Sequence, residues 1–351
     1  MACARILYVT VILVSMALDN VARRIPLSPP CDFPAIYNFG DSNSDTGGIS
    51  AAFGRIPPPY GQSFFPRPAG RASDGRLIID FIAEHLGLPY LSSYLDSIGT
   101  NFRHGANFAA GGSAIRRQNE TIFESGISPF SLDVQIVHFD RFKVRNTEIY
   151  HRGRNLSGRR QVPRPQEFSR ALYTFDIGQN DLVAGFRQLS TPQLRAAIPD
   201  IVNQLAAAVA VKTDKHGCNK DQNGMALEFN RQLKARVSKL RAELPRAALV
   251  YVDVYSAKYH LISNTKTYGF MDPLKICCGH HESNIHVWCG QRTLVNGSEV
   301  LGVSCGSPDS YISWDGIHYS QAANQWIANH ILNGSFSDPP LTPITQACLK
   351  R

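Results

Sequence analysis

The sequence predicts an α/β fold built on a parallel sheet covered by helices on both faces. Short strand-like apolar runs alternate with helix-like amphipathic segments. Three of those runs end in small or polar turn residues. No internal repeat, low-complexity linker or break in composition divides the chain, so one domain is expected. With 351 residues, 43% of them hydrophobic, there is material for one large core or two modest ones.

The elements follow in order. AIYNFG (35–40) reads as a buried strand. DGRLIIDFIAEHLG (74–87) has apolar residues at helical spacing and ends in glycine. GANFAAGG (105–112) is a short strand running into a glycine turn, and SLDVQIVHFDRFKVR (131–145) is amphipathic. ALYTFDIG (171–178) is again strand-like, and PQLRAAIPDIVNQLAAAVA (192–210) starts a helix with proline near its beginning. MALEFNRQLKARVSKLRAELPRA (225–247) is a strong helix and ALVYVDVYS (248–256) a strong strand. A last helix, SQAANQWIANHIL (320–332), precedes a proline-rich tail. The alternation fails once, after 171–178, where two helices follow in succession with only VKTDKHGCNKDQNG between them.

The first 22 residues read as a secretory signal. They hold one early arginine, an apolar run from Ile6 to about Leu18, and small residues at Ser15 and Ala17, with cleavage after Ala17 or Ala22. The run is shorter than the ~20 residues a membrane span needs; a buried N-terminal strand or helix is the alternative. Sequons at Asn119, Asn155, Asn296 and Asn333 fit a secreted glycoprotein. Eight cysteines in an oxidising compartment favour disulfides. Loss of Cys3 with the signal leaves an odd number. Much of the formal charge of +8 lies in 141–170, which reads as a solvated basic loop, with adhesion to an acidic cell-wall or membrane surface as the alternative. Nothing resembles a nucleic-acid-binding motif.

In open parallel sheets, reactive groups gather beyond the carboxyl ends of the strands. There the chain places Gly40-Asp41-Ser42, Gly111-Gly112 and Gly178-Gln179-Asn180-Asp181, while SWDGIHYS adds Asp315 and His318 three residues apart. A serine nucleophile needs a histidine base, and the base needs an acceptor on its other nitrogen. Ser42, His318 and Asp315 supply those parts. The Ser42 and Gly111 N–H groups and the Asn180 amide supply oxyanion donors. Glycine at 111 would let a ligand approach the backbone. Ser42 also reads as the cap of a following helix, so it is expected to serve as both cap and nucleophile.

The blocks FGDSNSDTGG, GANFAAGGS, DIGQND and SWDGIHYSQAAN resemble, in order, the hallmark blocks of the plant GDSL esterase/lipases, members of the SGNH hydrolases. The subgroup is similar to the early-nodulin-8-like or α-fucosidase-like esterases, and the likeness runs from about Cys31 to Cys348. It implies a single domain over 32–348, a three-layer α/β/α sandwich, no cofactor and no metal. It also implies Ser42 as nucleophile, His318 as base, Asp315 as its orienting acid, and Gly111 and Asn180 in the oxyanion hole, with Gly112 the alternative in the second block. The expected activity is hydrolysis of acetyl or acyl esters of a carbohydrate, glycoside or lipid, outside the cell and with no obligate partner. The G-x-S-x-G elbow of α/β-hydrolases is absent.

One departure matters. Relatives continue past the helix after DIGQND into a further strand and a cysteine-bearing loop, whereas here LAAAVA runs straight into VKTDKHGCNKDQNG, near 210–218. The missing block accounts for the broken alternation and, through its cysteine, for an unpaired Cys218. Losing an inner strand leaves backbone donors and acceptors of its neighbours unpaired, at about 1–3 kcal/mol each. Impaired folding and activity are therefore expected.

Three other readings compete. CCGHHESNIHVWCG (277–290) crowds cysteines and histidines as a zinc site would, although disulfides are the better expectation in a secreted chain. An α-fucosidase-like glycosidase would need two opposed carboxylates, with Asp41, Asp45, Asp176 and Asp181 as candidates. A non-catalytic carbohydrate-binding or defence protein would need no nucleophile.

Overall fold

The computed structural model describes residues 11–16, 31–119, 125–152, 156–190, 193, 196, 197, 220–244, 247–282, 285–295 and 297–348. Its strands are β1 (Val11–Met16), β2 (Ile36–Gly40), β3 (Gly105–Asn107), β4 (Leu172–Asp176) and β5 (Ala247–Val252). Two hairpins follow, β6 (His280–Glu282) with β7 (Ile285–Val287) and β8 (Arg292–Val295) with β9 (Ser298–Leu301), then the short β10 (Ser337–Asp338). The helices are α1 (Gly48–Ala52), α2 (Ile78–His85), α3 (Leu132–Arg152), α4 (Leu156–Arg160), α5 (Gln179–Gln188), α6 (Lys220–Glu243), α7 (Val254–Ser263) and α8 (Gln321–Leu332).

The main sheet has the order β10-β5-β1-β4-β2-β3. β2 runs parallel to both β3 and β4, as the alternating pattern requires. Alternate side chains of these strands enter opposite cores. Ile36, Leu172, Val250 and Val252 pack with α2, α7 and α8. Tyr37, Phe39, Tyr173 and Phe175 join an aromatic core with Phe139 and Phe142 of α3. The Phe39 ring stacks on Phe108 and Phe175 at centroid distances of 5.3 and 4.8 Å. Helices thus cover both faces.

The place between β4 and β5, where the expected lost strand belongs, is filled. β1 lies there, antiparallel to β5 from Val11↔Val252 to Met16↔Ala247 and antiparallel to β4 from Ile12↔Phe175 to Val14↔Tyr173. The apolar N-terminal run is therefore a sheet strand in this structure. It enters against the direction of β2 and β4 because it comes from outside the strand–helix alternation. The 210–218 junction, Cys218, Cys3 and most of the helix expected over 192–210 lie outside the described residues.

Several boundaries differ from the sequence expectation, each for a local reason. The strand expected over 248–256 stops at Val252 because the Asp253 carboxylate accepts the Ser256 N–H at 3.0 Å and caps α7. The strand expected over 105–112 pairs only to Asn107, whose side chain turns back to accept the Ala109 N–H. The basic stretch 141–170 is largely helical, in α3, α4 and a 3-10 turn over Pro165–Arg170, because α3 continues past its amphipathic start.

Among the described residues three disulfides form. Cys31–Cys348 ties the two ends of the domain together, while Cys277–Cys305 and Cys278–Cys289 cross-link the hairpin region. The CCG segment is thus a disulfide element, as the secreted reading expects. Among the described residues no helix is long and apolar enough to cross a membrane.

Candidate active site

The nucleophile turn begins at Gly40, the last residue of β2. A Cβ there would lie 2.4 Å from Ser44 Oγ and 2.5 Å from the Asp176 carbonyl, so only glycine fits. Gln135 of α3 holds this backbone from the side: its amide oxygen accepts the Gly40 N–H at 3.0 Å and its nitrogen donates to the Gly40 carbonyl at 2.8 Å. A buried network then fixes the turn. Asn38 donates to Asn107 Oδ1 at 2.8 Å and Thr174 donates to Asn38 Oδ1 at 2.7 Å. Asn107 donates to the Ser44 carbonyl at 2.6 Å and to Thr46 Oγ1 at 2.9 Å. Satisfied buried networks of this kind rigidify what they hold.

The turn presents Ser42 Oγ 2.8 Å from His318 Nε2. The His318 Nδ1–H donates to Asp315 Oδ2 at 2.7 Å. Asp315 Oδ1 meanwhile accepts the Ile317 and His318 N–H groups at 2.9 and 2.8 Å, so the acid folds its own loop around itself. The loop is tied to the disulfide element: the Cys277 N–H donates to the Ser313 carbonyl and the Cys278 N–H to the Trp314 carbonyl. Ser42, His318 and Asp315 are therefore brought together in the expected order.

Sequence reasoning missed Tyr60, whose hydroxyl donates to Asp315 Oδ2 at 2.7 Å. It sits in the PPPYGQSFF segment and packs edge-on against Trp314, which lies beside the acid. Burial alone would raise the Asp315 pKa, but the His318 charge and the hydrogen bonds from His318 and Tyr60 hold it well below the usual carboxylate range. Burial likewise opposes protonation of His318, yet the Asp315 charge and hydrogen bond leave its pKa raised.

Two expectations change. Ser42 does not cap a helix: α1 begins at Gly48, and the Asp45 carboxylate accepts the N–H groups of Gly47, Gly48 and Ile49. The capping task has moved three residues on, leaving the Ser42 hydroxyl to His318. Gly111, expected as an oxyanion donor, gives its N–H to Asp45 Oδ2 at 2.7 Å. Its missing side chain makes room for Ile49, whose Cγ2 would lie 3.2 Å from a Cβ. The next residue, Gly112, stands at φ +75°, and its N–H has no such acceptor. Asn180, near the start of α5, donates to the Ser113 carbonyl at 2.8 Å, which aims its amide at this same turn. Asp181 accepts the Ile115 and Arg116 N–H groups at 2.7 and 2.9 Å and clamps the turn from below.

Three of the four carboxylates considered for a glycosidase are held within the protein. Asp45 and Asp181 are bound to backbone amides. Asp41 is fully buried beside Asn43, with its pKa pushed up to about 7 by burial and by the neighbouring Asp176. The arrangement can therefore do one kind of chemistry: a serine hydroxyl with a paired histidine base, beside amide donors.

Comparison with known proteins agrees. A family described as GDSL-like lipase/acylhydrolase matches residues 36–331. The protein named GDSL esterase/lipase At5g14450 from Arabidopsis thaliana is 55% identical, over 96% of this chain and 95% of its own length. Alpha-L-fucosidase 3 from the same plant is 47% identical, over 87% and 91%. GDSL esterase/lipase ENOD8 from Medicago truncatula is 41% identical, over 96% and 99%. The first of these alignments runs over 369 positions, more than the 351 residues of this chain, so the relative carries aligned-region residues that this chain lacks.

Proposed function

Since this chain belongs to the GDSL-like lipase/acylhydrolase family, we propose that it cleaves carboxylic ester bonds through an acyl-enzyme formed on Ser42. The observation that carries the reading is the continuous relay from Ser42 Oγ to His318 Nε2 and from His318 Nδ1 to Asp315.

Ser42 Oγ attacks the ester carbonyl carbon while its proton passes to His318 Nε2. The Asp315 anion stabilises the imidazolium and keeps Nδ1 protonated. The tetrahedral oxyanion accepts hydrogen bonds from the Ser42 and Gly112 N–H groups and the Asn180 amide. Collapse breaks the bond to the alcohol oxygen, which takes the proton from Nε2 and leaves. Water, deprotonated by the same nitrogen, then attacks the acyl-Ser42 ester and releases the carboxylic acid. Tyr60 acts through Asp315 as a positioning residue.

The substrate class is a small-molecule, glycoside, polysaccharide or lipid ester, acetyl or longer acyl. The glycosidase alternative is not favoured: the relative at 55% identity is named an esterase/lipase, and Asp45 and Asp181 are bound to backbone amides. Secretion to the cell wall is the proposed location. It is supported by three disulfides and by exposed sequon asparagines at Asn119 and Asn333. Asn155 and Asn296 lie outside the described residues. Basic side chains such as Lys143 and Arg145, exposed on α3, suit contact with acidic wall polymers.

The test is fluorophosphonate labelling with Ser42→Ala as control, alongside turnover of a p-nitrophenyl ester and a p-nitrophenyl fucoside. Labelling and ester turnover that both vanish in the variant support the reading. Labelling that survives Ser42→Ala, or turnover of the fucoside alone, overturns it.

A further inference from the structure

The residues that carry a further inference are two histidines outside the candidate active site. His281 and His286 face each other across the β6–β7 hairpin as directly paired residues. Their Nδ1 atoms are 3.3 Å apart, and their ring centroids are 5.6 Å apart at 47°. That separation is at the long end of hydrogen-bond reach, beyond the about 2.7–3.2 Å usual for N–H···O. It matches two corners of a tetrahedral zinc site: with Zn–N bonds of about 2.0–2.1 Å, two ligating nitrogens lie roughly 3.3–3.4 Å apart.

Three further features prepare the pair for a metal. The Cys278–Cys289 disulfide closes the base of the hairpin, so the two rings are held in register before anything binds. His281 Nε2 is buried and turned over Gly279, where a Cβ would meet it at 2.4 Å, so Nδ1 is the nitrogen left for a ligand. His286 is exposed, which leaves an entry path.

We propose that His281 and His286 bind one divalent transition-metal ion of the Zn²⁺ and Cu²⁺ class through their Nδ1 atoms, with water completing the coordination. Imidazole nitrogen suits these ions, whereas Mg²⁺ and Ca²⁺ prefer oxygen ligands. Among the described residues no group of three or more histidine, cysteine or acidic side chains able to hold a metal gathers, and the two imidazoles are the ligands the structure places together.

The experiment uses the full chain without a polyhistidine tag, titrated with Zn²⁺ by calorimetry in excess Mg²⁺. One ion per chain is expected. His281→Ala or His286→Ala should weaken binding by at least about 10–100-fold, since losing a ligand costs no less than losing the group that orients one. His280→Ala, which pairs with Val287 instead, should leave binding unchanged. Cu²⁺ should quench the fluorescence of Trp288, whose ring centre is 6.1 Å from that of His281, and the quenching should disappear in both ligand variants. Circular-dichroism melts matching the parent confirm that the surface variants are folded. Binding unchanged in the double variant, or no one-site isotherm in the parent, overturns the proposal.

Discussion

Removing residues 1–22 takes β1 out of the centre of the sheet, and the cost follows from its register. β1 pairs with β5 at six positions and with β4 at three. An antiparallel ladder gives about one hydrogen bond per paired position. At a net ~0.5–1.5 kcal/mol each, the pairing is worth on the order of 5–13 kcal/mol. That is comparable to the whole stability of an ordinary domain, about 5–15 kcal/mol. Water that enters the gap can satisfy part of the exposed edges, but β4 and β5 then lose the strand that joins them. β4 leads into Asn180, and β5 leads into α7, so the oxyanion side of the site moves with them. The chain spanning 23–351 is therefore expected to lose its cooperative melt and its Ser42 labelling, while the full chain keeps both. A synthetic peptide of residues 10–17 added in trans should restore part of each. An equal melting temperature and equal labelling for the two lengths would refute the reasoning. The same measurement bears on secretion, because a signal peptidase cutting after Ala17 or Ala22 would remove the strand. The expected impairment of this chain then applies to the processed form.

Three more perturbations test the site. Tyr60→Phe deletes a hydrogen bond to a buried anion, worth about 1.5–3 kcal/mol in general; kcat should fall about tenfold or more with KM little changed. Asn180→Ala should lower kcat by about 10²–10³ as one oxyanion donor is lost, whereas Gly111→Ala should act on stability through Ile49 and spare the chemistry. His318 must be neutral to accept the Ser42 proton, so kcat/KM should rise with pH through a raised histidine pKa. Asp315→Asn removes the anion that raises it, moving this limb to lower pH while the plateau drops by about 10⁴. Asp181 adds a stability effect: its folded pKa is pushed up to about 7 from 3.8 by burial, so its contribution is full at low pH and declines as pH rises toward 7. Melting temperatures of the parent and Asp181→Asn across that window check the sign.

Asp315 and His318 are three positions apart, and a single turn decides how such neighbours meet, so their pairing was legible. Gly40-Asp41-Ser42 and Asn180 were legible because polar residues that follow buried strands collect at one end of a parallel sheet. Ser42 as a cap and Gly111 as an oxyanion donor were misread for one reason: Asp45 occupies both the amides of α1 and the Gly111 N–H. That carboxylate reaches Gly111 across 66 positions of sequence, a contact that no local pattern reports.

By itself the sequence determined the strand–helix alternation, the order of the reactive blocks, the likeness to one hydrolase family, and the absence of a block that relatives carry. These are local periodicities and spacings, set by backbone geometry and by which residues a turn tolerates. Tertiary structure alone decided that Tyr60 braces an acid 255 positions away, that Gln135 holds Gly40, and that Val11–Met16 fills the space between β4 and β5. The physical reason is common to all three. Buried backbone and polar groups must find partners once water is excluded, and packing chooses the partner from whatever the chain brings within reach.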